Sequence, residues 1–446
     1  MNQPAAQPPI HVRSPEFVGT TPFEGDLFGR KALADRLTSY LDRLKDGCVV
    51  GVDAPWGEGK SWFGRNWQAQ LAADGYNTIY VDAFERDYLD DPFPLLASEI
   101  VLALDAKNSG DVGKSLLEAS LKLGKTLLPA AAKMSINTLG RLFLGTLDLA
   151  GDAGELANKL DDKFADASEK YVASRIAAVE EEKKSVAGFR EALTQFAAAQ
   201  AKPVVFFIDE LDRCRPDFAV RIIERVKHFF DVPNLVFVLL LNRDQLERAV
   251  QGVYGQGCDA HAYLGKFVHL FLSLPKKKSF DTGQSNSNWI YAWKVAQRYQ
   301  FRETQQLENF IGAYTPVATA LGMSLRDVEK AFALLAMANA NAAMDYLAWP
   351  IVLKLRYPNT FAQLLDGSKS AHREAADILT NLDLRGSDVW IRDYFHALHL
   401  SIIKGQESLG EDQKTALKDY APRNHLRSPT DLIRFWLRMI DVAIQD

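Results

Sequence analysis

The sequence predicts an α/β fold in which a parallel sheet is covered by helices on both faces, and three observations predict it. First, five short apolar runs lack polar alternation: CVVGVDA (48–54), NTIYVDAF (77–84), PVVFFID (203–209), LVFVLLLN (235–242) and FVHLFLSLP (267–275). Runs this rich in β-branched and aromatic residues suit parallel strands buried on both sides. Second, helical sequence separates them, as between Phe218 and Phe230, where Ile222, Ile223, Val226, Phe229 and Phe230 share one face. Third, the first run ends in a glycine-containing loop and then turns helical. Strands alternating with helices give a doubly wound layer structure.

Taken in order, residues 1–24 read as a flexible arm, because Pro4, Pro8, Pro9, Pro15 and Pro22 crowd it and no export-length apolar stretch is present. Residues 25–280 are expected to form the core, opening with helical spacing from Arg30 to Leu44. A mainly helical region is expected over 281–446, with segments such as Leu325–Ala338, Val389–Ile403 and Pro429–Ile444. Between the second and third strands lies a helical insertion, about residues 105–200. Within it, Lys122, Lys125, Lys133, Arg141 and Asp148 break up the run 116–151. A membrane span needs about 20 largely apolar residues, so a soluble insertion is favoured over a membrane one. The charged run Glu180–Lys184 reads as a solvated helix face.

The chain has 446 residues, 47% hydrophobic and 24% charged, within the ordinary range for soluble globular proteins. Its net charge of −5 argues against constitutive nucleic-acid binding, which needs a basic surface. Lys276–Lys278 is a basic run whose default is a solvated loop, with nucleic-acid contact as the alternative. Cys48, Cys214 and Cys258 are far apart and show no metal-ligand spacing, which fits a reducing cytoplasm. His396 and His399 lack a third ligand nearby and read as packing or surface residues.

The chemistry is carried by Ala54-Pro55-Trp56-Gly57-Glu58-Gly59-Lys60-Ser61, the P-loop pattern GxxxxGK[ST] with Ala in place of the first Gly. Gly57 and Gly59 let the backbone curl so that its N–H groups face phosphate oxygens. Lys60 reaches the β- and γ-phosphates, and the Ser61 hydroxyl ligates Mg²⁺. The helix beginning at Trp62 offers its N-terminus to the same phosphates. ATP with Mg²⁺ is therefore the expected ligand, held by Pro55 through Trp62. For Trp56, Trp62 and Trp67, core packing is favoured over stacking on a ligand.

The third strand delivers Asp209 at its C-terminal end, where a carboxylate serves the Mg²⁺ shell. Glu210 follows, placed to polarise an attacking water, and favours hydrolysis over phosphate transfer. Asp212 and Arg213 either add charge near the γ-phosphate or form a structural ion pair. Asn242, ending the fourth strand, either orients the water or simply starts the next helix. Arg326, in Ser324-Leu325-Arg326-Asp327, starts a downstream helix and can fold back on the phosphates; the alternative is an exposed arginine.

The order of these motifs resembles the KAP family of P-loop NTPases. The resemblance rests on APWGEGKS (54–61), DAFERD (82–87), DPFPLLASEI (91–100), IDELDRCRP (208–216), NLVFVLLLNRDQL (234–246), AYLGKFVHLFLSLP (262–275) and SLRDVEK (324–330). It implies ATP hydrolysis on an additional-strand P-loop core and, in bacteria, a frequent link to anti-phage defence. Three positions depart from the family's usual residues: Phe84 for Trp, Asn242 for Asp and Glu210 for Asp. Many relatives carry transmembrane helices where the charged insertion lies, and that trait is not carried over. The favoured function is an ATP-driven conformational switch acting with protein partners encoded nearby, with homo-oligomer formation open. The alternatives are a nucleotide-binding scaffold with negligible turnover and a P-loop kinase of a small molecule.

Overall fold

The structure is a computed structural model. It describes residues 21–87, 167–229, 231–275, 287–302, 304–338, 343–384, 389–420 and 428–441, with isolated positions at 92, 115, 118, 119 and 122. The run 123–166 of the insertion and Lys276–Lys278 lie outside the described residues. Helix α1 (Arg30–Leu41) leads into β1 (Cys48–Asp53), α2 (Lys60–Ala73) and β2 (Thr78–Asp82). Helix α3 (Ala167–Ala198), the described part of the insertion, precedes β3 (Val204–Asp209) and α4 (Pro216–Val226). Strand β4 (Leu235–Leu241), α5 (Arg243–Tyr254), α6 (Ala260–Leu264) and β5 (Leu270–Ser273) complete the sheet region.

The five strands are parallel, in the order β2-β3-β4-β1-β5. Strand β4 therefore stands between the strand that enters the glycine loop and the strand that ends at Asp209, as the additional-strand reading expects. Side chains alternate across a strand, and both faces find an apolar partner. Val49, Phe206 and Phe237 pack with Phe218 and Ile222 on one side. Val50, Val52, Phe207 and Val238 pack with Leu37, Phe63 and Trp67 on the other. Burial on both faces is why these strands read as unbroken apolar runs. Strand β5 is shorter than its run suggests, because Phe267 and Val268 close a turn after α6 through bonds to the Leu264 carbonyl.

Beyond the sheet the described residues are mainly helical: α7 (Ser287–Arg298), α8 (Gln305–Ala320), α9 (Leu325–Ala338), α10 (Ala348–Arg356) and α11 (Pro358–Leu365). Helices α12 (Lys369–Thr380), α13 (Val389–Lys404), α14 (Glu411–Asp419) and α15 (Pro429–Ile440) follow. They share a third apolar cluster that includes Tyr314, Phe332, Trp349, Tyr394 and Trp436.

Two sequence expectations meet the structure at the edges. Residues 21–24 belong to the folded part rather than to a free arm: Phe23 is buried against Trp62 and Phe63, and its N–H donates to Asn66 Oδ1. Among the described residues, no helix is long and apolar enough to cross a membrane.

Candidate functional site

The loop after β1 is shaped by two left-handed glycines, Gly57 (φ 80°) and Gly59 (φ 79°). A side chain at either would be strained and would also collide. A Cβ on Gly57 would lie 2.7 Å from Arg326 Cβ, and one on Gly59 would lie 2.6 Å from Arg30 Nη1. Ala54 is not among the left-handed residues, so its methyl costs nothing in place of the first glycine of the pattern. Its N–H donates to Leu241 at 3.1 Å, which anchors the loop to β4.

Lys60 opens α2 and is buried. Its Nζ donates to the loop's own carbonyls, Ala54 at 2.8 Å and Pro55 at 3.4 Å, and lies 3.6 Å from Asp212 Oδ2. Strands β2 and β3 are in register at their ends, so Asp82 and Asp209 are paired at the C-terminal edge of the sheet. Asp209 is buried and accepts from Tyr80 Oη at 2.7 Å, from the Glu210 N–H at 2.8 Å and from Ser61. Burial pushes its carboxyl up from the usual carboxylate range, and these hydrogen bonds pull against that shift. Glu210 adopts φ 60°, a left-handed conformation that turns the chain sharply off β3. Its Oε2 pairs with Arg213 Nε at 2.7 Å. Burial first, and the Asp209 charge second, push Glu210 up to about 7.

Trp56, Gly57, Gly59, Lys60, Ser61, Trp62, Asp209, Glu210 and Arg326 all line one cleft of about 850 Å³. The structure thus brings together most of the residues singled out in the sequence, from segments as far apart as the loop and α9. Pro55, Glu58 and Asn242 are not among the lining residues. Glu58 is buried, and its carbonyl accepts from Arg30. Asn242 caps α5 by accepting from the Gln245 N–H at 3.4 Å, the helix-starting alternative.

Several lining residues carried no signal in the sequence. Arg30, buried at the start of α1, donates to the Glu58 carbonyl and, at 3.3 Å, to that of Gly59. Phe28 and Trp62 flank its guanidinium, 5.0 and 5.9 Å from the ring centroids. Burial lowers its pKa to about 10, so it stays charged at neutral pH. By occupying carbonyls of the loop, Arg30 holds the peptide units in the orientation that leaves N–H groups for an anion. From the helical side, α7 contributes Lys294 and Arg298, and α9 contributes Arg326. Arg298 pairs with Glu329 at 2.9 Å, and the Arg326 N–H donates to the Gly57 carbonyl at 3.3 Å. The cleft therefore has loop and sheet-edge acids on one wall and cations from two later helices on the other.

A family model described as the KAP family P-loop domain matches residues 30–288. A search of the curated proteins gives no match. Among solved structures the chain is similar to Cdc6p from Pyrobaculum aerophilum, at 11% identity and a TM-score of 0.37, covering 97% of this chain and 98% of that one. It is also similar to the ORC2 protein of Aeropyrum pernix, at 12% identity and a TM-score of 0.35, covering 96% and 97%. Likeness this slight carries no argument. The family match, by contrast, spans the loop, all five strands and the acids at their ends, and the chain belongs to the KAP family of P-loop NTPases.

Proposed function

We propose that the cleft binds ATP with Mg²⁺ and hydrolyses it, and that residues 281–446 respond to the nucleotide state of a core formed by residues 25–280. The observation that carries this reading is the convergence of Lys60, Asp209, Glu210 and Arg326 on one cleft beside a loop with two left-handed glycines. Ser61 and Asp209 supply hard oxygen donors in mutual contact, a set that suits Mg²⁺ with phosphate oxygens and waters completing its shell. The ion, when bound, would draw charge from the β- and γ-phosphate oxygens. Tyr80 and the Glu210 N–H fix Asp209 in place for that task.

Glu210 is the residue we assign to the attacking water. Its carboxylate lines the cleft one residue beyond Asp209, and burial keeps its proton affinity near neutrality, where a general base works best. That placement supports hydrolysis over transfer as our reading. The reading extends to a cytoplasmic ATP-driven switch in bacterial anti-phage defence, acting with protein partners; its support is family membership.

Glu210→Gln tests the assignment. The amide keeps the shape but accepts no proton, so ATP binding should persist while phosphate release falls about 10²–10⁴-fold. Turnover within about threefold of the unaltered protein would move the water-activating role elsewhere. A phosphorylated small-molecule acceptor in place of free phosphate would favour the kinase reading.

A further inference from the structure

We propose that Asp212 is a positioning residue that keeps Lys60 turned onto the loop's own carbonyls and ties its release to movement of the exposed indole of Trp56. The inference rests on the nucleotide reading above and adds how that site is regulated.

The Asp212 side chain is fully enclosed, with no exposed surface. One carboxylate oxygen, Oδ2, accepts from Trp56 Nε1 and lies 3.6 Å from Lys60 Nζ. The other, Oδ1, is buried and has no hydrogen-bond partner. A buried carboxylate that is only half satisfied depends on its neighbouring cation, because an enclosed charge without a counter-charge is strongly unfavourable. Lys60 meets that need while turned onto the Ala54 and Pro55 carbonyls. Entering phosphates require the same ammonium. Once Lys60 moves to them, Asp212 is left enclosed without its counter-charge.

Water is the available relief. The group hydrogen-bonded to Asp212 from the surface is the Trp56 indole, 45% exposed and part of the cleft lining. Letting water reach the carboxylate means moving that indole. Phosphate capture and displacement of Trp56 are then one event: the pair lowers nucleotide affinity and turns loop occupancy into a change at the surface.

The test is calorimetric titration of the full chain with ADP and with a non-hydrolysable ATP analogue, alongside tryptophan emission. Asp212→Asn keeps the shape and an acceptor for Trp56 but drops the charge that holds Lys60. Both nucleotides should bind roughly tenfold tighter. Emission should change when nucleotide is added to the unaltered chain. That change should be markedly smaller in Trp56→Phe, which keeps only the contribution of Trp62, and small in Asp212→Asn, where no charge is stranded. Unchanged or weaker binding by Asp212→Asn overturns the proposal, as does a hundredfold loss of turnover at unchanged affinity, which would put Asp212 on the water instead. Should Asp212→Asn not fold, the emission difference between the unaltered chain and Trp56→Phe decides: an equal response in both means the indole does not move. An unaltered chain that binds neither nucleotide sinks the nucleotide reading and this one together. Normal binding without an Asp212→Asn effect sinks this one alone.

Discussion

Arg30 illustrates how a side chain outside the phosphate loop sets the loop's shape. Its planar fork spans two successive carbonyls, Glu58 and Gly59, from a helix that begins before β1. Arg30→Ala removes both of these bonds from a charged donor, at about 1.5–3 kcal/mol each, while the Gly59 carbonyl keeps its bond from the Phe63 N–H at 3.0 Å. Thermal unfolding should show that loss together with weakened nucleotide binding. Arg30→Lys should not restore either, since one compact ammonium cannot replace the fork. A melting temperature and affinity unchanged by Arg30→Ala would remove the residue from the site. Lys60, Ser61 and Asp209 were legible in the sequence because their spacing is dictated by local geometry: a loop, a helix start and the end of an apolar strand. Arg30 was not, because it acts across 28 residues and an arginine at a helix start is ordinarily solvated. Asn242 had two readings, and its bond to the Gln245 N–H favours capping.

At the scale of elements, α9 meets the loop backbone to backbone. The Arg326 N–H binds the Gly57 carbonyl, and the absent side chain of Gly57 leaves the room that Ser324 and Arg326 occupy. A loop that shifts on binding nucleotide would pull on the start of α9 through this bond. A guanidinium there can pair with γ-phosphate oxygens in one nucleotide state and lose them in the other, and such differential contact is what shifts an equilibrium. Arg326→Ala should bind ATP with modest weakening, yet hydrogen exchange across residues 320–446 should differ less between ATP analogue and ADP than in the unaltered protein. Equal differences in both would leave the switch in place but release Arg326 from it. The strands were readable in sequence within a few residues, since burial on both faces writes itself as an apolar run. Their order was implied only by the family resemblance, because no residue within β4 announces that it pairs with both β1 and β3. The approach of α9 to the loop was one of two readings of Arg326, and its backbone bond to Gly57 joins segments more than 250 residues apart.

At the scale of the whole molecule, the helical region buries His399, one of two histidines read from the sequence as packing or surface residues, against His372. Trp349 Nε1 donates to His399 Nε2 at 3.1 Å, so His399 bears its proton on Nδ1 and donates to His372 Nδ1 at 2.8 Å. Burial, with Arg434 adding to it, lowers His372 to about 4; burial, with its neighbouring histidines, puts His399 well below its ordinary value. Both are therefore neutral in the folded protein and take protons more readily when unfolded, where imidazole titrates near 6.5. Their contribution is whole above about pH 6.5 and is lost as pH falls toward 4. Glu210, pushed up to about 7, acts in the opposite sense, so the comparison needs a variant. Melting temperature should fall more steeply from pH 7.5 to 5 in the unaltered protein than in His372→Leu/His399→Leu; equal slopes would contradict this. The proposed triphosphate site lies where the glycine loop faces α7 and α9, with Lys60 as its indispensable cation. Calorimetric titration of the unaltered chain and of Lys60→Ala with Mg-ATP tests it most directly. Saturable binding is expected of the first and none of the second, because no other side chain of the loop brings a positive charge to the phosphates. Equal affinity in the two would contradict it.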